Sequence, residues 1–327
     1  MATVSRSVRS AYSTKAVVDW LALEIETARP TQFRWLQSTL ADHFGDGTRT
    51  YIRTVDRDAG GAATRFLIRL NDAHCKDVDT IRAALAVLDR QYGLVSPVII
   101  RGLEVSLDFY PNNDQARADI LPLVTRLQAS LEATGGTAHR LVGPSKWPAF
   151  LDGTSKPDPH KTFYVNHKRA PVSWRVYHKI RDRNQDLPHD QHRARVEFTL
   201  KGDGLHKYGI ITLDDLAALD FRNFGELLHF RQFKPMSTVI VGKPPALAHM
   251  LQHATRRHRN MISPYLFGLH SYYRDSRTGQ PRNGGRPKLR AHSTHTAADA
   301  ELNRLVHDRL YDLNQTFHTK FSAKTDV

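Results

Sequence analysis

The chain has 327 residues, 40% of them hydrophobic and 24% charged, which suits a soluble globular protein with a substantial core, and no apolar run reaches membrane-spanning length. Lysine and arginine outnumber aspartate and glutamate 47 to 33, a net charge of +14, so nucleic acid is the expected partner and a membrane is not. A single cysteine, Cys75, excludes an internal disulfide framework, and the N-terminal stretch lacks the apolar core of a signal peptide; a cytoplasmic protein is expected.

Residues 1–16 are polar, basic and serine-rich and read as a flexible arm. "VVDWLALEIE" alternates like a strand, and "TQFRWLQSTLADHFG" places Phe33, Leu36, Leu40 and Phe44 at helical spacing before Gly45. "TRTYIRTVD" and "ATRFLIRLND" read as a hairpin about Gly60-Gly61. "DVDTIRAALAVLDRQYG" reads as a helix, "SPVIIRGLEVSLDFYP" as a strand, and "NDQARADILPLVTRLQASLEATGG" as a helix that Pro122 kinks or delays. A Pro-, Ser- and Gly-rich loop over 144–161 precedes three strands, "KTFYVNH", "VSWRVYHKI" and "RARVEFTL", and then helices return in "ITLDDLAALDFRNFGELLHFRQF". The pattern predicts an α+β fold, a largely antiparallel sheet with helices packed on one face. Residues 17–235 form its body, and 236–327 a basic, partly helical extension. In that extension Arg256, Arg257, Arg259, Arg286, Lys288 and Arg290 interleave with aromatics, a composition suited to DNA phosphates and bases, though exposed solubilising charge has the same look.

Three strands carry the candidate chemistry. In "LEVSLDFY" Glu104 and Asp108 share one face; in "RVEFTL" Arg195, Glu197 and Thr199 do; in "WRVYHK" Arg175, Tyr177 and Lys179 do. "TFYVN" adds Tyr164, a further candidate for DNA contact. Any amphipathic strand shows charge to water, so each strand alone is unremarkable. Together they collect hard oxygen ligands for Mg²⁺ or Mn²⁺ in Glu104, Asp108 and Glu197, and a nucleophile, Tyr177, for phosphodiester transfer. Arg175 and Lys179, flanking it, are then the cations expected to favour the phenolate and the charged transition state, and Arg195 is counted with them among the catalytic residues. The two H-x-x-H spacings, His189 to His192 and His292 to His295, read as surface histidines, and no Walker A sequence is present.

The same residues resemble the Rep_trans family, replication initiators of rolling-circle plasmids with relatives among filamentous phages and conjugative relaxases. "RGLEVSLDF" is similar to its R-L-D-x-x-x-D strand, "TFYV" and "WRVYHK" to its T-x-Y-x-G and R-x-Y-x-K stretches, and "RARVEFTLKGD" to its W-R-V-E-x-E-L-K strand. The resemblance covers roughly residues 17–235 and implies an origin-specific DNA nickase with Tyr177, not Tyr164, as nucleophile. Such an enzyme keeps the 5′ phosphate and frees a 3′-OH. Origin DNA with a single-stranded nick site is the expected partner, with a host helicase and a second copy of the chain as further candidates. A relaxase of a conjugative element, or a non-cutting DNA-binding protein on the same fold, are the alternatives. Three departures stand out: Glu104 for an aspartate, Thr199 for the second acid of the last strand, and "VNHKRAPVS" for a glycine-serine turn.

Overall fold

The computed structural model describes residues 7–45, 50–56, 61–133, 139–142, 149–150, 157–182, 184–234, 269 and 296–318. The fold is α+β, as the pattern predicts. Nine strands among the described residues form one antiparallel sheet. In chain order they are β1 (Tyr12–Thr31), β2 (Tyr51–Thr54), β3 (Ala63–Asn71), β4 (Ile99–Pro111), β5 (His139–Val142), β6 (Ala149–Phe150), β7 (Thr162–Val165), β8 (Val172–Lys179) and, after the small ribbon β9–β10 (Arg181–Asp182, Gln185–Asp186), β11 (Arg193–Leu200). Across the sheet the order is β2-β3-β1-β4-β11-β8-β7-β5-β6. The long β1, β4 and β11 therefore lie at its centre, and the predicted hairpin is the edge pair β2–β3.

Period-two alternation decides which face meets the core. Leu103, Val105, Leu107 and Phe109 of β4, Val196, Phe198 and Leu200 of β11, and Trp174 and Val176 of β8 are all buried on one side. The indole of Trp174 donates to the carbonyl of Leu227 at 2.7 Å, which ties β8 to the segment beneath it. Against this apolar face pack α3 (Val78–Tyr92), buried through Ile81, Leu85 and Leu88, and α5 (Ile120–Ser130), buried through Ile120, Val124 and Leu127. The helix predicted from 113 onward breaks at Asp119 into α4 (Asp114–Ala118) and α5. Pro122 falls in the first turn of α5, where its missing N–H breaks no helical bond. In α2 (Phe33–Phe44) Leu36 and Leu40 are buried and Gly45 closes the helix at φ 68°, but Phe33, expected on the same stripe, is 42% exposed.

Two boundaries differ from the sequence reading. The N-terminal arm does not extend to residue 16: Val8–Ala11 make one helical turn (α1), and Tyr12 begins β1, opposite Pro111 of β4. Buried Tyr12 and Ala16 set between exposed Ser13 and Lys15 form an alternation that the polar composition conceals. The chain end also belongs to the main body. Following α6 (Asp203–His206), α7 (Leu213–Ala218) and a 3-10 segment (Phe221–Leu228), β12 (Arg231–Phe233) pairs with β13 (Thr296–Ala298). Helix α8 (Ala300–Phe317) then buries Leu302, Leu305, Val306, Leu310, Leu313 and Phe317 in the same core as the sheet. A leucine stripe of this kind needs an apolar partner, and the 3-10 segment, through Phe221 against Phe317, supplies it together with β1 of the sheet.

Candidate active site

The strand order β4-β11-β8 turns the three amphipathic patterns into adjoining rows. Asp108 stands opposite Arg195, and Arg195 opposite Tyr177. In the next row Ser106, Glu197 and Arg175 align, and in the one after it Glu104, Thr199 and Ser173. Tyr164 of β7 stands opposite Arg175. This face is not a wet one. Glu104, Asp108, Arg195 and Glu197 are 1–2% exposed, so the ordinary reading of an amphipathic strand showing charge to water does not hold here.

Charges this deep persist only when partnered. Arg195 grips Asp108 with a bidentate fork, its Nη2 donating to Oδ2 at 2.6 Å, and its Nη1 donates to Asp19 at 2.6 Å. Arg193 adds an ion pair to Asp108 at 3.0 Å, and its guanidinium lies over the Tyr110 ring. Arg175 donates to Glu104 Oε1 at 2.7 Å, and its Nε lies 2.6 Å from Glu197 Oε2. Thr199, standing where the resembling family carries a second acid, donates its hydroxyl to the other oxygen of Glu104. The hydroxyl of Tyr177 donates to Glu197 Oε1 at 2.7 Å.

Asp19 was not among the residues that sequence reasoning singled out. Between Val18, opposite Val105, and Trp20, opposite Glu104, strand β1 carries one residue with no counterpart on β4. That β-bulge re-aims Asp19 towards Arg195. The signal was available in "VVDWLALEIE": with Leu21, Leu23 and Ile25 fixing the core parity, strict alternation would put Asp19 in the core, where a carboxylate does not belong. Among the described residues, Asp19, Glu104 and Glu197 each offer a carboxylate oxygen, and these oxygens lie within 4.8 Å of one another. Asp108, expected as a metal ligand, is not in this group and is held by Arg195 and Arg193.

The electrostatics show what the group lacks. Burial, and then the charge of Glu197, push the Glu104 carboxyl up to about 7, against the pull of Arg175. Burial likewise raises Glu197 above the usual carboxylate range, with Arg175 and Arg195 opposing. At Asp19 burial also acts upward, but Arg195, Lys179 and Arg175 outweigh it and hold the carboxyl low. The Tyr177 phenol is raised, by burial first and by Glu197 second, with Arg195 and Arg175 opposing. The cations expected to favour its phenolate are engaged elsewhere: Arg175 by two carboxylates, and Lys179 by Asp182 at 2.9 Å. Three hard-oxygen donors brought this close, two of them buried and raised above the usual carboxylate range, fit a divalent cation of the Mg²⁺ or Mn²⁺ type.

The structure thus brings together Tyr177, Arg175, Arg195, Glu104 and Glu197, links Asp108 through Arg195, and sets Lys179 at the margin. Arg256, Arg257, Arg259, Arg286, Lys288 and Arg290 lie outside the described residues. His189, exposed as expected, and half-buried His192 lie with His160 and His178 around an open pocket of about 410 Å³ beneath α4 and α5, whereas His292 and His295 lie outside the described residues. Among the described residues no helix is long and apolar enough to cross a membrane.

No protein-family model matches the chain, and no curated protein matches it. Among solved structures it is similar to a rolling circle replication initiator protein from Geobacillus stearothermophilus, with 15% identity, 78% of this chain and 98% of that chain covered, and a TM-score of 0.36. It is also similar to the regulatory subunit of aspartate kinase from Thermus flavus, with 10% identity, 59% and 90% coverage, and a TM-score of 0.20. Likenesses of this size leave the function to be argued from the chain's own residues.

Proposed function

We propose that this protein is a metal-dependent DNA strand transferase that nicks one strand through Tyr177, in the manner of a rolling-circle replication initiator. The observation that carries the reading is the 2.7 Å hydrogen bond from the Tyr177 hydroxyl to Glu197, a member of the buried acidic group. A carboxylate with a raised affinity for protons, already accepting from the phenol, is placed to take that proton as the nucleophile forms. The phenolate oxygen then bonds to phosphorus, the bond from phosphorus to the 3′ oxygen breaks, and the 3′ oxygen is protonated to a hydroxyl through water, which regains the proton that Glu197 took from the phenol. The product is a 5′-phosphotyrosyl link and a free 3′ end that can prime synthesis.

Asp19, Glu104 and Glu197 would hold the cation, with Asp108 fixing Arg195 in place of a ligand role. A bound divalent ion supplies charge neutralisation at the phosphate and at the acidic group, which lowers the cost of forming a phenolate beside Glu197. Arg175 and Arg195 orient the carboxylates and oppose the rise of the Tyr177 phenol. The test is covalent capture: incubate the protein with Mn²⁺ and a pool of single-stranded oligonucleotides and look for an SDS-resistant protein–DNA adduct. We expect an adduct with wild type and with Tyr164→Phe and none with Tyr177→Phe. An adduct that survives Tyr177→Phe but not Tyr164→Phe moves the nucleophile to Tyr164, and no adduct with any DNA favours a binding protein that does not cut.

A further inference from the structure

Immediately beyond the bulge, Trp20 stands opposite Glu104 and lays its indole across β4. It does so because residue 102 is glycine: a Cβ there would come within 2.7 Å of the ring. The indole is only 7% exposed, so it offers no open face for stacking a base. Two cations cover it instead. The guanidinium carbon of Arg69 is 4.3 Å from a ring centroid, and Lys201 Nζ is 5.6 Å away. An aromatic face attracts cations but does not neutralise them.

Neither cation has a carboxylate within ion-pair distance among the described residues. Arg69 is exposed and its guanidinium makes no hydrogen bond there, and the Lys201 ammonium donates only to the carbonyl of Lys168, at 2.9 Å. The contrast with the neighbouring rows is sharp, because Arg65 and Arg101 on the same sheet both pair with Glu24. Burial, followed by repulsion from Arg69, Lys168 and Arg175, lowers the Lys201 pKa, while Glu104 acts the other way. Positive charges gathered over one ring and left without an ion-pair partner describe a seat for an anion.

We propose that Arg69 and Lys201, held over Trp20, form a subsite for a backbone phosphate of the single-stranded DNA that Tyr177 attacks. This rests on the nicking function proposed above. Six residues separate Asp108, level with Tyr177, from Gly102 under the indole; at about 3.4 Å per residue the subsite lies about 20 Å further along the sheet. The phosphate it holds is therefore not the scissile one but one some nucleotides away, and its task is to fix the path of the strand across the acidic group.

The test measures binding of a fluorescent single-stranded oligonucleotide by wild type and by Arg69→Gln/Lys201→Gln over a range of salt. A second double variant, Arg90→Gln/Arg304→Gln, removes the same charge from exposed helical positions and serves as the control. We expect the subsite variant to bind between about threefold and tenfold more weakly at low salt. The slope of log K against log salt should become shallower by about 0.7, the value for one phosphate no longer neutralised, with the control unchanged. Equal slopes in wild type and the subsite variant, or an equal weakening in the control, overturn the subsite and leave the nicking function standing. Should the double variant fail to fold, Arg69→Gln alone, at an exposed position, carries the same comparison. If wild type binds no single-stranded DNA, the nicking function falls and the subsite falls with it.

Discussion

Replacing Glu104 by glutamine isolates the electrostatic strain of the acidic group. The amide keeps the shape, its oxygen can still accept from Arg175, and its NH₂ can donate to the Thr199 hydroxyl. What disappears is a buried carboxyl whose pKa rises from 4.5 to about 7 on folding. An acid raised in this way binds more protons folded than unfolded, so its stabilising contribution is present below about pH 4.5 and is lost as the pH rises through 7. At about 1.4 kcal/mol per pKa unit the loss amounts to about 3 kcal/mol above pH 7. The assay is urea denaturation in EDTA at pH 5 and pH 8, for wild type and Glu104→Gln. Between those two conditions wild type should lose more stability than the variant, by up to about 3 kcal/mol. Mn²⁺ at pH 8 should recover wild type and do little for the variant. The reasoning is refuted if Glu104→Gln is destabilised equally at both pH values, because the carboxylate would then be stabilised in its charged form by Arg175.

Asp19→Asn removes one of the three convergent carboxylates while leaving an acceptor for Arg195; calorimetry should show Mn²⁺ binding weakened by about tenfold or more, and unchanged affinity would remove Asp19 from the ligand set. Arg195→Gln leaves buried Asp108 without its bidentate partner and should cost about 3–5 kcal/mol in urea denaturation, whereas a loss below about 1 kcal/mol would mean that Arg193 and water suffice.

The legible part of this protein followed from period two. Glu104, Glu197, Arg175 and Tyr177 could be set on one face from the strings "LEVSLDF", "RVEF" and "WRVYHK" alone, and the sheet order put those strings side by side. Three things were not legible. A bulge breaks periodicity, so alternation marks Asp19 as misplaced in the core but says nothing of the group that it meets. The roles of Asp108 and Lys179 depend on which cation or acid lies across the strand or beyond its end, a matter of register and not of composition. The helices were readable from their stripes, whereas the place of α8 was not: nothing in a leucine repeat says which sheet it will cover.

The pairing of β12 with β13 changes what the basic segment between them is. Phe233 stands opposite Thr296, so the described chain on the two sides of residues 235–295 meets at neighbouring positions. A hairpin of this kind ordinarily closes over two to five residues. Here the closure is secured from outside, by α8 seated in the core just after β13. The cationic stretch thus lies, in the sequence, between two paired strands rather than beyond the last element of the fold. Because residues 233 and 296 are paired neighbours, a connection of another length between them closes at little extra entropic cost, and a change in its length is expected to leave the sheet, the acidic group and Tyr177 in place.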